Sequence, residues 1–121
     1  MPTNAMLVLA RLGRPGHHTV AFDVNTSCLG FLTGLELAAV AIASGRWQHV
    51  AVAAVDLASA GLDHDDIESS ALFGDGAAAV VLGPGSGDDG PAVLSSRFET
   101  HPDGAGLCRI DAGGTRWNVA Q

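Results

Sequence analysis

Apolar residues along the chain fall into runs whose lengths and punctuation alternate between helical and extended patterns. Asn4 to Leu12 is apolar at helical spacing, with Thr3 placed to cap its start and Gly13 to end it. Arg11 and Arg14 suit the negative end of that helix dipole. Thr19–Asn25 is an extended run with β-branched residues, and small polar residues follow it. Leu29–Ser44 has helical length and is apolar nearly all round, which predicts a helix buried on every side; Gly45 closes it. Gln48–Val55 is continuously apolar, the pattern of a strand covered on both faces. Strand, helix and strand at this spacing predict a right-handed βαβ unit.

The second half of the chain is more broken. Asp56–Gly61 reads as a loop, and Asp63, Asp65, Asp66 and Glu68 load acid onto the start of a short helix reaching about Phe73. Gly74-Asp75-Gly76 is a tight turn feeding a strand through Leu82. The glycine- and proline-rich stretch 83–91 is a turn, Ala92–Glu99 and Gly106–Ile110 are further strands, and Asp111–Asn118 is loop. Repeats, heptads and low-complexity tracts are absent from the sequence.

Composition narrows the class. The chain has 121 residues, 47% of them apolar but only 5% aromatic, so small side chains permit closely layered α/β packing. The formal charge of −7 and the scattering of six arginines, with no lysine, argue against nucleic acid, which requires clustered cations. The apolar segment 29–43 carries Glu36 and is too short for a bilayer span, and the N-terminus lacks a signal-peptide layout, so a cytoplasmic protein is expected. Neither Cys28 nor Cys108 sits in a metal-ligand spacing, and the adjacent His17 and His18 cannot share a helix face, so no metal and no cofactor are expected. Gly-Asp-Gly is followed by a strand and lacks Lys-Ser/Thr, unlike a phosphate loop.

Cys28 is the candidate for chemistry. It stands on the turn between the first strand and the long helix, where the first free amides of the helix favour thiolate over thiol. The alternative for a lone cysteine in such surroundings is a buried structural residue.

Three segments, in this order, resemble the β-ketoacyl-acyl-carrier-protein synthase III family of the thiolase-like superfamily. Ala21-Phe-Asp-Val-Asn-Thr-Ser-Cys28-Leu-Gly-Phe is similar to its nucleophile motif, and Ser44-Gly-Arg-Trp-Gln-His-Val-Ala-Val-Ala-Ala to the strand after the nucleophile helix. Ala71-Leu-Phe-Gly-Asp-Gly-Ala-Ala-Ala-Val-Val-Leu82 is similar to its Phe-Gly-Asp-Gly-Ala turn and strand. The resemblance implies an incomplete thiolase-like half, an α/β arrangement with a mixed sheet and a buried central helix after the nucleophile turn. On that comparison residues 1–121 are one partial N-terminal condensing-enzyme domain.

The resemblance also implies roles. Cys28 matches the acyl-accepting nucleophile, with its own amide as an oxyanion donor. Phe73 stands where the family places an aromatic near the acyl pocket, and Asp75 matches the turn aspartate, with a structural hydrogen-bonding role. Met1 falls near the loop that reaches a neighbouring subunit. The implied substrates are acyl-CoA and malonyl-acyl-carrier-protein, the implied state a homodimer or pairing with a missing half, and the implied pathway fatty-acid or polyketide synthesis. Two departures bear on substrate. Leu29 after the cysteine resembles relatives that condense long acyl chains, and Ile67 replaces a nucleotide-contacting arginine. The family's decarboxylating His and Asn belong to a second half, and His17, His18, His49, His64 and His101 have no matching context. The chain is therefore expected to support acylation at most, with a non-catalytic fragment or partner subunit of a complete synthase as the alternative.

Overall fold

A computed structural model of the chain describes residues 2–13, 18–85 and 90–107. Helix α1 spans Asn4–Arg11, and the Met6 amide donates to Thr3 Oγ1 at 3.2 Å, as the cap residue predicts. Gly13, at φ +66°, ends it. Helix α2 spans Gly30–Ala43. It closes in a Schellman arrangement: the Gly45 amide donates to the Ile42 carbonyl and the Arg46 amide to the Ala41 carbonyl. Gly45 takes φ +72°, a conformation costly for any residue with a Cβ.

Strands β1 (Val50–Asp56) and β2 (Gly76–Leu82) pair antiparallel, from Val50 opposite Leu82 to Asp56 opposite Gly76. The excursion between them, residues 57–75, carries a 3₁₀ turn at Ala58–Ala60 and the short helix α3 at Ile67–Ser70. A second 3₁₀ turn covers Pro102–Gly104.

α2 lies on one face of β1. Gly34 permits the approach, since a Cβ there would stand 3.0 Å from Val52 Cγ1. The burial of β1 follows: Val50, Val52 and Ala54 are half-buried, whereas Ala51, Ala53 and Val55 are exposed. Only one face of this strand is covered, not the two that its continuous apolar run predicts. The helix behaves likewise. Ala38 and Ala41 are its buried residues, while Leu32, Leu37 and Val40 are exposed. An apolar stripe specifies a wish for burial, but a helix against a two-stranded sheet has one covered side.

Several expected strands take no ladder partner among the described residues. Thr19–Asn25 has none, and the isolated bridge between Thr26 and Cys28 lies after it, so the βαβ unit does not form and the described sheet is antiparallel rather than mixed. Ala92–Glu99 has none either, and Gly106 and Leu107 lie in a turn. Residue patterning encodes which faces are apolar, but not which edge pairs with which. The short helix is confined to Ile67–Ser70 instead of reaching Phe73. Met1, Cys108, Asp111–Asn118 and most of the turn from Arg14 to His18 lie outside the described residues. No described helix is long and apolar enough to cross a membrane.

The Gly34–Val52 approach makes a direct prediction. Gly34→Val should destabilise the chain by about 1–3 kcal/mol through overpacking. Combining it with Val52→Ala should recover part of that loss in urea unfolding; strictly additive losses would mean that the helix does not rest on Val52.

Candidate active site

The turn before α2 is built from short polar side chains. Asn25 Oδ1 accepts from the Ser27 amide at 3.2 Å, an Asx turn that reverses the chain. Ser27 takes φ +49°, the one left-handed residue other than glycine among those described. Such a conformation costs of order 1 kcal/mol or more, and persists where its surroundings fix it. They do so here: the Leu29 and Gly30 amides donate to the Thr26 and Ser27 carbonyls at 3.1 and 3.0 Å. The hydroxyls of Thr26 and Thr33 meet at 2.9 Å and tie the turn to the first turn of α2.

Cys28 follows the strained residue and is exposed as a free thiol. α2 begins two residues later with no side-chain cap on its N-terminus, because Leu29 occupies the cap position. The Gly30 amide is met instead by the Ser27 carbonyl, so the helix start is closed by backbone alone.

A second device anchors the approach to this turn. The carboxylate of Asp23 accepts from the Asn4 amide at 2.8 Å and the Ala5 amide at 2.7 Å, capping α1 from outside its own segment. Phe22 packs against Trp47 with ring centroids 6.2 Å apart, and Arg46 sits over the same indole at 5.9 Å. The segment leading to Cys28 is thus held by α1 on one side and by the exit from α2 on the other. The role of Asp23 escapes sequence reasoning, since an acidic residue in an apolar run carries no mark of the helix it caps.

Phe73 is 58% exposed, which places it outside any core of the described structure. Asp75, two residues on, is fixed more firmly: its carboxylate accepts from Ser59 Oγ at 2.6 Å and from the Ser59 amide at 2.8 Å. The structural hydrogen-bonding role expected of Asp75 is what these bonds provide. The hydroxyl bond first, and the amide bond second, hold its pKa below the ordinary aspartate value of 3.8.

α2 starts and β1 ends on the same side of the molecule. Phe31, in the first turn of α2, lines a shallow recess with Ala54, Asp56, Gly76, Ala77 and Ala78. Cys28 and the Gly-Asp-Gly turn therefore share one end of the α2–sheet unit. A second groove has a volume of about 310 Å³. Leu29 at the cap position and Leu32 and Leu35 of α2 face Val93 and Phe98 across it, and Glu36, Arg97 and Glu99 add charge. Arg97 pairs with Glu99, which also lies 3.8 Å from His101. His64 joins no metal-holding cluster of three or more His, Cys, Asp or Glu side chains among the described residues.

The family model for 3-oxoacyl-[acyl-carrier-protein] synthase III matches residues 22–102, a span running from the Asp23 anchor past both glycine turns. The chain belongs to this synthase III family. A β-ketoacyl-[acyl-carrier-protein] synthase III of Bacillus pumilus is 41% identical over 105 residues, covering 87% of this chain and 32% of the relative. One from Symbiobacterium thermophilum is 39% identical over 118 residues, covering 96% and 34%. The crystal structure of the 3-oxoacyl-[acyl-carrier-protein] synthase III of Aquifex aeolicus superposes with a TM-score of 0.67 at 37% identity, over 72% of this chain and 28% of that one. The chain thus spans about a third of the length of the curated synthase III relatives, and its α/β fold is part of the synthase III thiolase-like fold.

Two outcomes test the anchors. Asp23→Ala should lower protection of the Asn4 and Ala5 amides roughly fivefold in hydrogen exchange, the equivalent of about 1 kcal/mol for a lost cap. Because the folded-state pKa of Asp75 is depressed, its stabilisation is present above pH 3.8 and lost as the pH falls through the lowered folded value. Ser59→Ala should bring the Asp75 carboxyl titration back toward 3.8 by NMR; an unchanged titration would assign the depression elsewhere.

Proposed function

We propose that Cys28 is the acyl-accepting nucleophile of a β-ketoacyl synthase III-type condensing enzyme. The observation that carries this reading is the exposed free thiol on a strained turn at a helix start with no side-chain cap, within the motif shared with the synthase III family. The Cys28 thiolate attacks the carbonyl carbon of an acyl-CoA thioester, and a tetrahedral oxyanion forms. Collapse expels coenzyme A as its thiolate and leaves the acyl group on Cys28 Sγ. Backbone amides at the turn, that of Cys28 among them, offer the oxyanion its donors. Phe73 is assigned to the wall of the acyl site, on the strength of its place beside the Asp75 turn at the Cys28 end of the sheet.

The second step is a decarboxylative condensation with a malonyl thioester carried by acyl carrier protein. It belongs to the whole protein, in fatty-acid or related acyl-chain synthesis, and draws on a His and an Asn that no described residue here provides. We further infer a cytoplasmic homodimer as the working state. Residues 1–121 are read as part of the N-terminal half of that protomer.

A second reading, a non-catalytic piece that docks on a complete synthase, is favoured by one observation. Large apolar side chains stand open on several elements: Leu72 is 77% exposed and Leu94 94%. Exposure of this kind marks surfaces that other polypeptide covers. Both readings use the same fold and differ at Cys28.

Incubation with acyl-CoA of several chain lengths separates them. Intact-mass measurement should show one acyl adduct per chain, absent in Cys28→Ser. A chain that forms no adduct at any length, yet elutes as a complex with a full-length synthase III, would establish the docking reading instead.

A further inference from the structure

The excursion 57–75 leaves the sheet at Asp56 and returns at Gly76, which face each other at the end of the ladder. Its two ends are closed just outside that last pair by Ser59 and Asp75. Two bonds form the closure, one from the hydroxyl and one from the amide of Ser59, and both end on the Asp75 carboxylate. Charge-assisted bonds of this length are the stronger kind. The large apolar side chains of the excursion are open, with Leu57, Ile67, Leu72 and Phe73 all more than half exposed. The closure lies at the end of the sheet that Phe31 shares with Asp56 and Gly76, the end at which α2 begins.

We propose that Ser59 and Asp75 are a positioning pair that latches the base of this excursion and so sets where Phe73 stands relative to an acyl chain on Cys28. The assignment rests on the acyl-acceptor reading of Cys28. Ser59 touches neither thiol nor substrate. It acts through Asp75 and the short segment entering β2, where Phe73 lies two residues from the latched carboxylate. The substrate feature it governs is the acyl chain rather than the thioester, because the latch controls the wall and not the nucleophile.

The test uses the full chain and measures acylation of Cys28 against acyl-CoA concentration by intact mass, for a short and a long acyl group. Iodoacetamide alkylation, which needs no acyl wall, runs in parallel. Ser59→Ala should raise the half-saturating concentration of the long acyl-CoA about tenfold, the scale of one lost bond to a charged acceptor. It should leave the alkylation rate of Cys28 at the wild-type value. Asp75→Glu, which keeps the charge but displaces it by one methylene, should act in the same direction. Ser59→Thr, which keeps the hydroxyl, should restore the long-chain value to within about threefold of wild type. Acylation that is indifferent to Ser59 at both chain lengths overturns the latch alone. A fall in alkylation equal to the fall in acylation assigns Ser59 to general stability and also overturns it. A wild-type chain that alkylates but never acylates overturns the acyl-acceptor reading, and the latch's role with it.

Discussion

The close approach of α2 to β1 at Gly34 and Val52 is the constraint on which the site depends. A helix and a strand can only share an end if nothing wedges them apart, and a side chain at position 34 would meet the Val52 methyl at 3.0 Å. With that approach allowed, the start of the helix, the end of β1 and the start of β2 come to one edge. Cys28 then stands on the turn that enters α2, and Asp75 on the turn that enters β2. Two glycine-bearing turns far apart in sequence become parts of one surface because alanine, valine and glycine line the layer between them.

Much of this was legible from the residues. Thr3 and Gly13 bracket α1 as their chemistry requires, and Gly45 in its left-handed conformation ends α2 where a Schellman cap must. The strands around Ala53 and Ala79 were readable as apolar runs bounded by turns. What escaped was pairing and cover. The runs 19–25 and 92–99 have strand-like composition but no partner among the described residues. Leu32, Leu37 and Val40 are as apolar as any core residue and are nonetheless exposed. Apolar patterning reports what a segment would bury; it is silent on whether a neighbour is present to bury it.

The site shows the same division. The turn that carries Cys28 was legible because small polar residues stand directly before a long apolar run of helical length. The clamps that hold the site were not, since each joins residues remote in sequence: Asp23 to the amides of Asn4 and Ala5, and Ser59 to Asp75. A carboxylate that caps a distant helix looks in sequence like any solvated acid. Local rules find the turn and the helix start, and long-range hydrogen bonds hold the segments on either side of them.

The central claim is that Cys28 and the Gly-Asp-Gly turn occupy the same end of the α2–sheet unit. A nitroxide attached to Cys28, in a chain carrying Cys108→Ser, tests it by paramagnetic broadening of amide signals. β1 is long enough to separate its two ends by roughly 20 Å, so the two ends are distinguishable. The account predicts strong broadening at Phe73–Gly76 and Asp56, and little at Val50 and Leu82. Broadening concentrated at Val50 and Leu82, with Phe73–Gly76 left sharp, would contradict it.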